Sequence, residues 1–369
     1  MVEWKKLDNL IDFEQPTSYL VKSTEYDDSY ATPVLTAGQS LLLGYTDEKE
    51  GIYKASKENP CIIFDDFTTS FHWIDFDFKV KSSAMKMLQP KENVNFRYVY
   101  YAMLGINYIP SGHQRHWISK YSQFEIPIPS LSEQTRIVGI LDTFTDSIEN
   151  LKQQIAERRK QYEYYCDQLL DLEGKEGVEM KTLGDVCIIK NGYTPSTKNP
   201  NFWDGGTLPW FTLEDIRKNG RILNDAIKHI TPSGVKKGGL FQKESIIIST
   251  TATIGEYALI NTDFLCNQQI TCLSIKETEK KRLLAKYLYY LSDGIGKWCK
   301  KNVNGGGSLL IVSTSKLNNL TIPLPSISEQ SRIVSILDTF EASIANLEAQ
   351  LKEREKQYEY YRNKLLMFE

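Results

Sequence analysis

The chain has 369 residues, 44 basic against 47 acidic, for a formal net charge of −3; 41% of it is hydrophobic and 25% charged. That length supports two or three domains with cores of their own, and the composition excludes disordered, collagenous and mucin-like chains. The first eight residues lack the apolar centre of a secretory leader, and no apolar run approaches the ~20 residues that cross a bilayer, so a cytoplasmic protein with no membrane association is expected.

Residues 1–125 read as mixed α/β, with short runs such as Ile62-Ile63-Phe64 set between Gly, Asn, Asp and Thr turns and one helical stretch at 96–106. Two polar segments stand out, Thr68-Thr69-Ser70-Phe71-His72-Trp73 and Gly112-His113-Gln114-Arg115-His116-Trp117. Residues 1–130 carry 13 basic and 17 acidic side chains, and Lys79, Lys81 and Lys86 read either as a local basic edge or as a solvated strand face. Residues 126–173 open on Pro127 and Pro129, which cannot continue a helix backwards, with Ser132 as the expected N-cap. Ile137, Leu141, Phe144, Ile148, Leu151 and Ile155 then begin a strict four-three spacing that continues through Tyr162, Tyr165 and Leu169 to Leu172, with Arg158 in one slot. Such a helix would be about 60 Å long at 1.5 Å per residue.

Residues 178–321 return to the mixed pattern, with Ile246-Ile247-Ile248 as a strand and a helical stretch at 281–299. Their polar segments are Thr250-Thr251-Ala252-Thr253, Asn267-Gln268-Gln269 and Asn304-Gly305-Gly306-Gly307-Ser308. With 20 basic against 13 acidic residues over 174–326, this region has the electrostatic footprint of a nucleic-acid binder, which the acidic first region lacks. Residues 322–369 repeat the helix: Pro323, Pro325, Ser328, and the seam Ile333, Leu337, Phe340, Ile344, Leu347 and Leu351, with Arg354 in the slot of Arg158.

The chain is thus an internal repeat. Residues 124–173 and 320–369 align without gaps at an offset of 196, with 31 of 50 positions identical. A weaker likeness joins residues 2–7 to 178–183, and 78–88 can be laid on 264–274. A long amphipathic helix must bury its stripe, and the partner present in every molecule is the other copy. The expected fold is α+β: two α/β domains separated by two long helices paired as an antiparallel coiled coil about an internal pseudo-twofold axis. Arg158 and Arg354 would lay their stems over neighbouring leucines or meet Glu353 and Glu157.

Enzyme signatures are missing. Gly294-Ile295-Gly296-Lys297 is only a fragment of a phosphate loop, there is no Pro-Pro dipeptide for an amino-methyltransferase element, and no Gly-x-Ser-x-Gly elbow occurs. His113 and His116 have ligand spacing but no accompanying cysteine or carboxylate cluster, so no metal is expected. Six cysteines without a C-x-x-C pair read as reduced thiols. What remains is polar loop chemistry suited to base edges, where Arg pairs with guanine and Asn or Gln with adenine, and where glycine lets backbone approach phosphate. The candidate DNA-contacting residues are Thr68, Thr69, Ser70, His72, His113, Gln114, Arg115 and His116 in the first domain. In the second they are Thr250, Thr251, Thr253, Asn267, Gln268, Gln269, Gly305, Gly306 and Ser308. Each segment taken singly also fits an ordinary solvated turn.

The order variable–shared–variable–shared, and the Ile-Pro-Ile/Leu-Pro-Ser…Ser-Glu-Gln…Arg-Ile-Val…Leu-Asp opening of each helix, resemble the specificity (S) subunits of type I restriction-modification systems. The resemblance covers the whole chain. It implies two target recognition domains, 1–125 and 178–321, each reading half of a split double-stranded DNA site. It also implies that the spacer helices 126–173 and 322–369 set the gap and dock two methyltransferase (M) subunits, with restriction (R) subunits completing the complex. The chain would be non-catalytic and hold no cofactor; S-adenosylmethionine, ATP and Mg²⁺ would be used by its partners. Two other readings remain open: a coiled-coil scaffold with two protein-binding domains and no DNA, or a recognition subunit of a related phage-exclusion or modification system.

Overall fold

The structure, a computed structural model, describes residues 2–38, 40–91, 94–112, 114–304 and 310–368. It forms two compact units, residues 1–153 with 348–369 and residues 154–347, so that each unit takes one half of each long helix.

In the first unit the strands Ile11–Glu14, Met85–Pro90, Cys61–Asp65 and Phe71–Ile74 form one antiparallel sheet in that order, and Leu42–Thr46, Thr32–Leu35 and Lys79–Val80 form another. In the second unit Cys187–Asn191, Ile270–Ile275, Ser245–Ser249 and Tyr257–Ile260 repeat the first order, with Ile222–Leu223 added in parallel at the edge. His229–Ile230, Leu208–Phe211 and Leu265–Cys266 repeat the smaller sheet. The match of 78–88 to 264–274 holds at its start, where Lys79–Val80 and Leu265–Cys266 each pair in parallel with the central strand of the small sheet, and slips by one residue in the next strand, where Met87 corresponds to Cys272. Continuous apolar runs form the central strands because both faces are covered. Ile246 and Ile248 enter one core while Ile247 enters another, just as Ile62 and Phe64 divide from Cys61 and Ile63.

The likeness of residues 2–7 to 178–183 also acquires a cause. Glu3–Lys6 pairs antiparallel with Glu125–Ile128, and Glu179–Thr182 with Thr321–Leu324, setting Trp4 against Pro127 and Met180 against Pro323.

The long helices are Leu131–Leu170 and Ile327–Leu366. Their caps are Ser130 and Ser326, not Ser132 and Ser328: the hydroxyl oxygens of Ser130 and Ser326 accept the N–H of Glu133 at 3.4 Å and of Glu329 at 3.2 Å. The chain turns into the helix immediately after the proline, which places the later serine of each pair inside the first turn. The domain helices are Phe96–Met103 and Ala285–Lys301, displaced from the expected 96–106 and 281–299. The first gives way at Leu104 and Gly105. The second begins late because the N–H of Leu284 is taken by Gln330 Oε1 at 2.9 Å.

The seam closes antiparallel within each unit. In the first, Phe144 stacks on Tyr361 at 5.3 Å and Lys152 reaches Glu355 at 4.0 Å, so numbering rises on one helix as it falls on the other. In the second, Phe340 meets Tyr165 at 5.2 Å and Tyr162 at 6.4 Å. Ile137, Leu141, Ile333 and Leu337 are fully buried because the α/β domain covers them as well, and Ile155 is buried. Ile148, Leu151, Ile344, Leu347 and Leu351 are half-buried. The guanidinium groups of Arg158 and Arg354 sit over Phe340 at 5.8 Å and Phe144 at 5.6 Å, because each falls opposite a ring of the facing helix.

One set of polar bonds fastens each α/β domain to its helix. Gln134 is buried, accepting from Asn95 N–H at 3.1 Å and donating to the Pro129 carbonyl at 2.8 Å. Gln330 accepts from Leu284 N–H and donates to the carbonyls of Pro325 at 2.8 Å and Arg282 at 2.7 Å. Tyr98 and Tyr287 donate to the carbonyls of Pro127 and Pro323, and Tyr101 and Tyr290 to Asp142 and Asp338. Arg97 and Lys286 complete the same carboxylates at 2.8 and 3.1 Å.

Candidate nucleic-acid interface

The polar segments picked out in the sequence converge at one hairpin tip in each unit. In the first, the hairpin joins Cys61–Asp65 to Phe71–Ile74. Asp65 Oδ1 accepts the N–H groups of Phe67 and Thr68 at 2.9 and 2.8 Å, which tightens the turn and turns Thr68 outward. Thr69 is buried at φ 58°, its hydroxyl donating to the Thr68 carbonyl at 2.7 Å. The Ser70 hydroxyl donates to the Ala37 carbonyl, and His72 Nε2 lies 2.9 Å from the Gly38 carbonyl. Thr69, Ser70 and His72 therefore shape the tip, while Thr68 is on its surface.

Residues 114–117 pack beside this tip. Gln114 and Arg115 are exposed. His116 is not: it is 1% exposed, with Nδ1 2.9 Å from the Tyr108 hydroxyl and its ring against the same tyrosine, so it belongs to the core. Trp117 follows it inward onto Phe64 at 5.0 Å. His113 lies outside the described residues. The His116 N–H donates to the Asp66 carbonyl at 2.8 Å and the Trp117 N–H to Asp66 Oδ1 at 2.7 Å, so the two segments are bound together.

The basic edge expected at Lys79, Lys81 and Lys86 does not form. Lys86 is 1% exposed and pairs with Asp66 at 3.0 Å; Lys79 is 2% exposed and pairs with Glu48 at 3.0 Å. Both lysines lie between packed layers, where an ammonium persists only beside a carboxylate. Only Lys81 is exposed, its ammonium 5.8 Å from the Tyr26 ring.

In the second unit the tip lies between Ser245–Ser249 and Tyr257–Ile260. Thr250 is buried, its hydroxyl 2.8 Å from that of Thr271, and so cannot reach a base; Thr251 is half-buried and pairs with Ile311; Thr253 is exposed. Ala252 turns the tip at φ 64°. The Thr250 carbonyl accepts Val312 N–H at 2.9 Å and its N–H donates to the Gln269 carbonyl at 3.0 Å, uniting two of the expected segments with the stretch that follows the third. Asn267 braces this loop, accepting from Gln269 N–H at 3.1 Å, while Gln268 is exposed and accepts from the Thr194 hydroxyl. Gly192 fits beneath: a Cβ there would lie 2.2 and 2.4 Å from the carbonyl oxygens of Cys266 and Asn267. Gly305, Gly306 and Ser308 lie outside the described residues, and Asn304 at their border pairs with Ile311.

No group of His, Cys, Asp or Glu fit to hold a metal occurs among the described residues, and none of their helices is long and apolar enough to cross a membrane. All six cysteines are free, and burial pushes the thiols of Cys61, Cys187 and Cys272 up to about 12. Sequence reasoning missed the residues that hold the tips, Asp66 and Lys86 above all, and the Gln134/Gln330 and Asp142/Asp338 anchors. Identity in both shared segments marks those anchors; nothing in the sequence marks the ion pair.

The family model described as the type I restriction modification DNA specificity domain matches residues 1–158 and again 175–356. The chain belongs to this family. A specificity subunit of the type I restriction enzyme EcoR124I/EcoR124II of Escherichia coli is 43% identical over 100% of the chain and 94% of its own length. A putative type I specificity subunit of Haemophilus influenzae is 30% identical over 100% of the chain and 96% of its own. Among solved structures, the type I restriction-modification S subunit from M. genitalium matches with a TM-score of 0.63 at 16% identity, covering 100% of the chain and 97% of its own. A chain from a structure concerned with complex assembly and conformational transition of the type I system matches at 0.59 and 17% identity, over 99% and 96%. These share the fold of this chain. DNA sequence specificity is the role of this type I subunit, and a scaffold without DNA is not favoured.

Proposed function

We propose that residues 1–125 and 178–321 each read one half of a split double-stranded DNA site, and that the paired helices set the unread gap. One observation carries this reading: equivalent main-chain bonds, from His116 N–H to the Asp66 carbonyl and from Val312 N–H to that of Thr250, build the same tip in both units. The side chains exposed there nevertheless differ, Thr68, Gln114 and Arg115 against Thr253 and Gln268. A common frame bearing unlike polar tips is what two readers of different bases require.

The chain itself catalyses nothing and holds no cofactor. The near-identical helix segments present the same side chains twice, so two copies of one methyltransferase (M) subunit fit one chain, with restriction (R) subunits joining the complex. S-adenosylmethionine serves the methyltransferase, and ATP with Mg²⁺ the restriction subunits. The experiment is to replace residues 1–125 with those of another family member and map methylated adenines genome-wide. One half of the methylated motif changes and the other is retained; a change in both halves overturns the reading.

A further inference from the structure

A polar triad lies beneath each hairpin tip, at matching places. Strand register fixes the correspondence: Glu14 and Ile63 flank Met87 as Lys190 and Ile247 flank Cys272. Gln15, Asp66 and Lys86 are therefore the counterparts of Asn191, Thr250 and Thr271. In the first unit Lys86 Nζ lies 3.0 Å from Asp66 Oδ2 and donates to Gln15 Oε1 at 3.1 Å. In the second, the Thr271 hydroxyl donates to Asn191 Oδ1 at 2.8 Å and lies 2.8 Å from that of Thr250. The two inner members are buried in both units, and the outer amide is exposed in both. The same place is thus filled once by an ion pair and once by two hydroxyls.

We infer that Asp66 and Lys86 are positioning residues for base reading by the first unit, Asp66 holding residues 114–117 against the hairpin and Lys86 balancing its charge. The inference rests on the assignment of residues 1–125 as a half-site reader. Asp66 faces both ways: Oδ2 meets Lys86, while Oδ1 and the main-chain carbonyl take the N–H groups of Trp117 and His116. Those bonds set where Gln114 and Arg115 stand. The second unit ties Val312 to the Thr250 carbonyl with no charge in the triad, so what the tip needs is a fixed acceptor. The carboxylate of Asp66 is tolerable in the interior only while Lys86 is present, since stripping one partner from a buried pair strands the other.

The test uses the full methyltransferase complex, with amide exchange read in peptides spanning 112–121 and methylated adenines mapped genome-wide. Lys86→Met raises exchange in that segment on the order of 100-fold and relaxes only the half-site read by residues 1–125. Adding Asp66→Asn removes the stranded charge, keeps an acceptor for Trp117 N–H, and restores both readouts. A role in general stability alone would lower methylation at whole sites without altering the motif, and that result overturns the inference. So does unchanged exchange in Lys86→Met, or failure of the double variant to recover. If Lys86→Met does not fold, the neutral pair Asp66→Asn/Lys86→Met and Asp66→Leu/Lys86→Met decides: only the leucine variant exchanges fast, and equal exchange overturns the inference. Fast exchange in Lys86→Met with both the motif and the level of methylation unchanged overturns the half-site assignment of residues 1–125 on which the inference rests.

Discussion

Gln134 and Gln330 sit at equivalent places at the foot of the two long helices and make equivalent bonds, amide to proline carbonyl and amide oxygen to a domain-helix N–H. Asp66 and Thr250 also sit at equivalent places, beneath the two tips, yet one is a charged carboxylate and the other a hydroxyl. Near the helices the two units preserve side chains; near the tips they preserve only main-chain bonds. The first region packs against a fixed neighbour and tolerates little change. The second region carries the contacts that must differ if two readers are to recognise different bases.

The largest effect that sharpens this contrast is expected at the fully buried seam positions. Leu141→Ala and Leu337→Ala should each cost about 2–5 kcal/mol in chemical denaturation, and by like amounts in the two units. A cost confined to one of them would break the equivalence of the frames. Gln330→Ala strands one N–H and two carbonyls, whereas Gln134→Ala strands one of each. Losses of about 1–3 kcal/mol are expected, the larger at Gln330, in the same assay. The smallest effect belongs to the exposed forks Arg136–Glu133 and Arg332–Glu329. Hydrogen bonds from the arginines hold both carboxyl groups below the ordinary glutamate range. A lowered folded value means the contribution is present above the unfolded value and is lost as pH falls through the folded one. The slight destabilisation by Arg136→Ala and Arg332→Ala should accordingly be alike at neutral pH and vanish in acid; a loss that persists in acid breaks this assignment.

Much of the frame was legible because its signals are periodic. The four-three spacing from Ile137 and Ile333 placed the seam, the likeness of the two copies placed its antiparallel pairing, and the copied Pro-x-Pro placed the helix starts to within two residues. The cap shifted because Ser130 and Ser132 both precede the apolar stripe, and only the turn geometry after Pro129 separates them. The tips were legible as segments and not as side chains. Thr250 and His116 look like base readers in a polar string, yet each is buried, and exposure depends on which strand passes above. Lys79 and Lys86 were misplaced for the converse reason. A lysine in a strand reads as solvated until a distant carboxylate, Glu48 or Asp66, is folded against it. Long-range pairs of this kind leave no local trace.

The short strand pairs at the base of each unit have a consequence for how such a molecule changes over generations. Leu7 N–H bonds to the Phe124 carbonyl and Leu183 N–H to that of Leu320, so each recognition domain leaves the frame and rejoins it through neighbouring residues. A segment whose two ends emerge side by side works as a cassette. Another polypeptide of different length and strand content can be spliced between the same two points without altering the span that the host must bridge. The added edge strand Ile222–Leu223 shows how much the inserted part can grow while its borders stay in place.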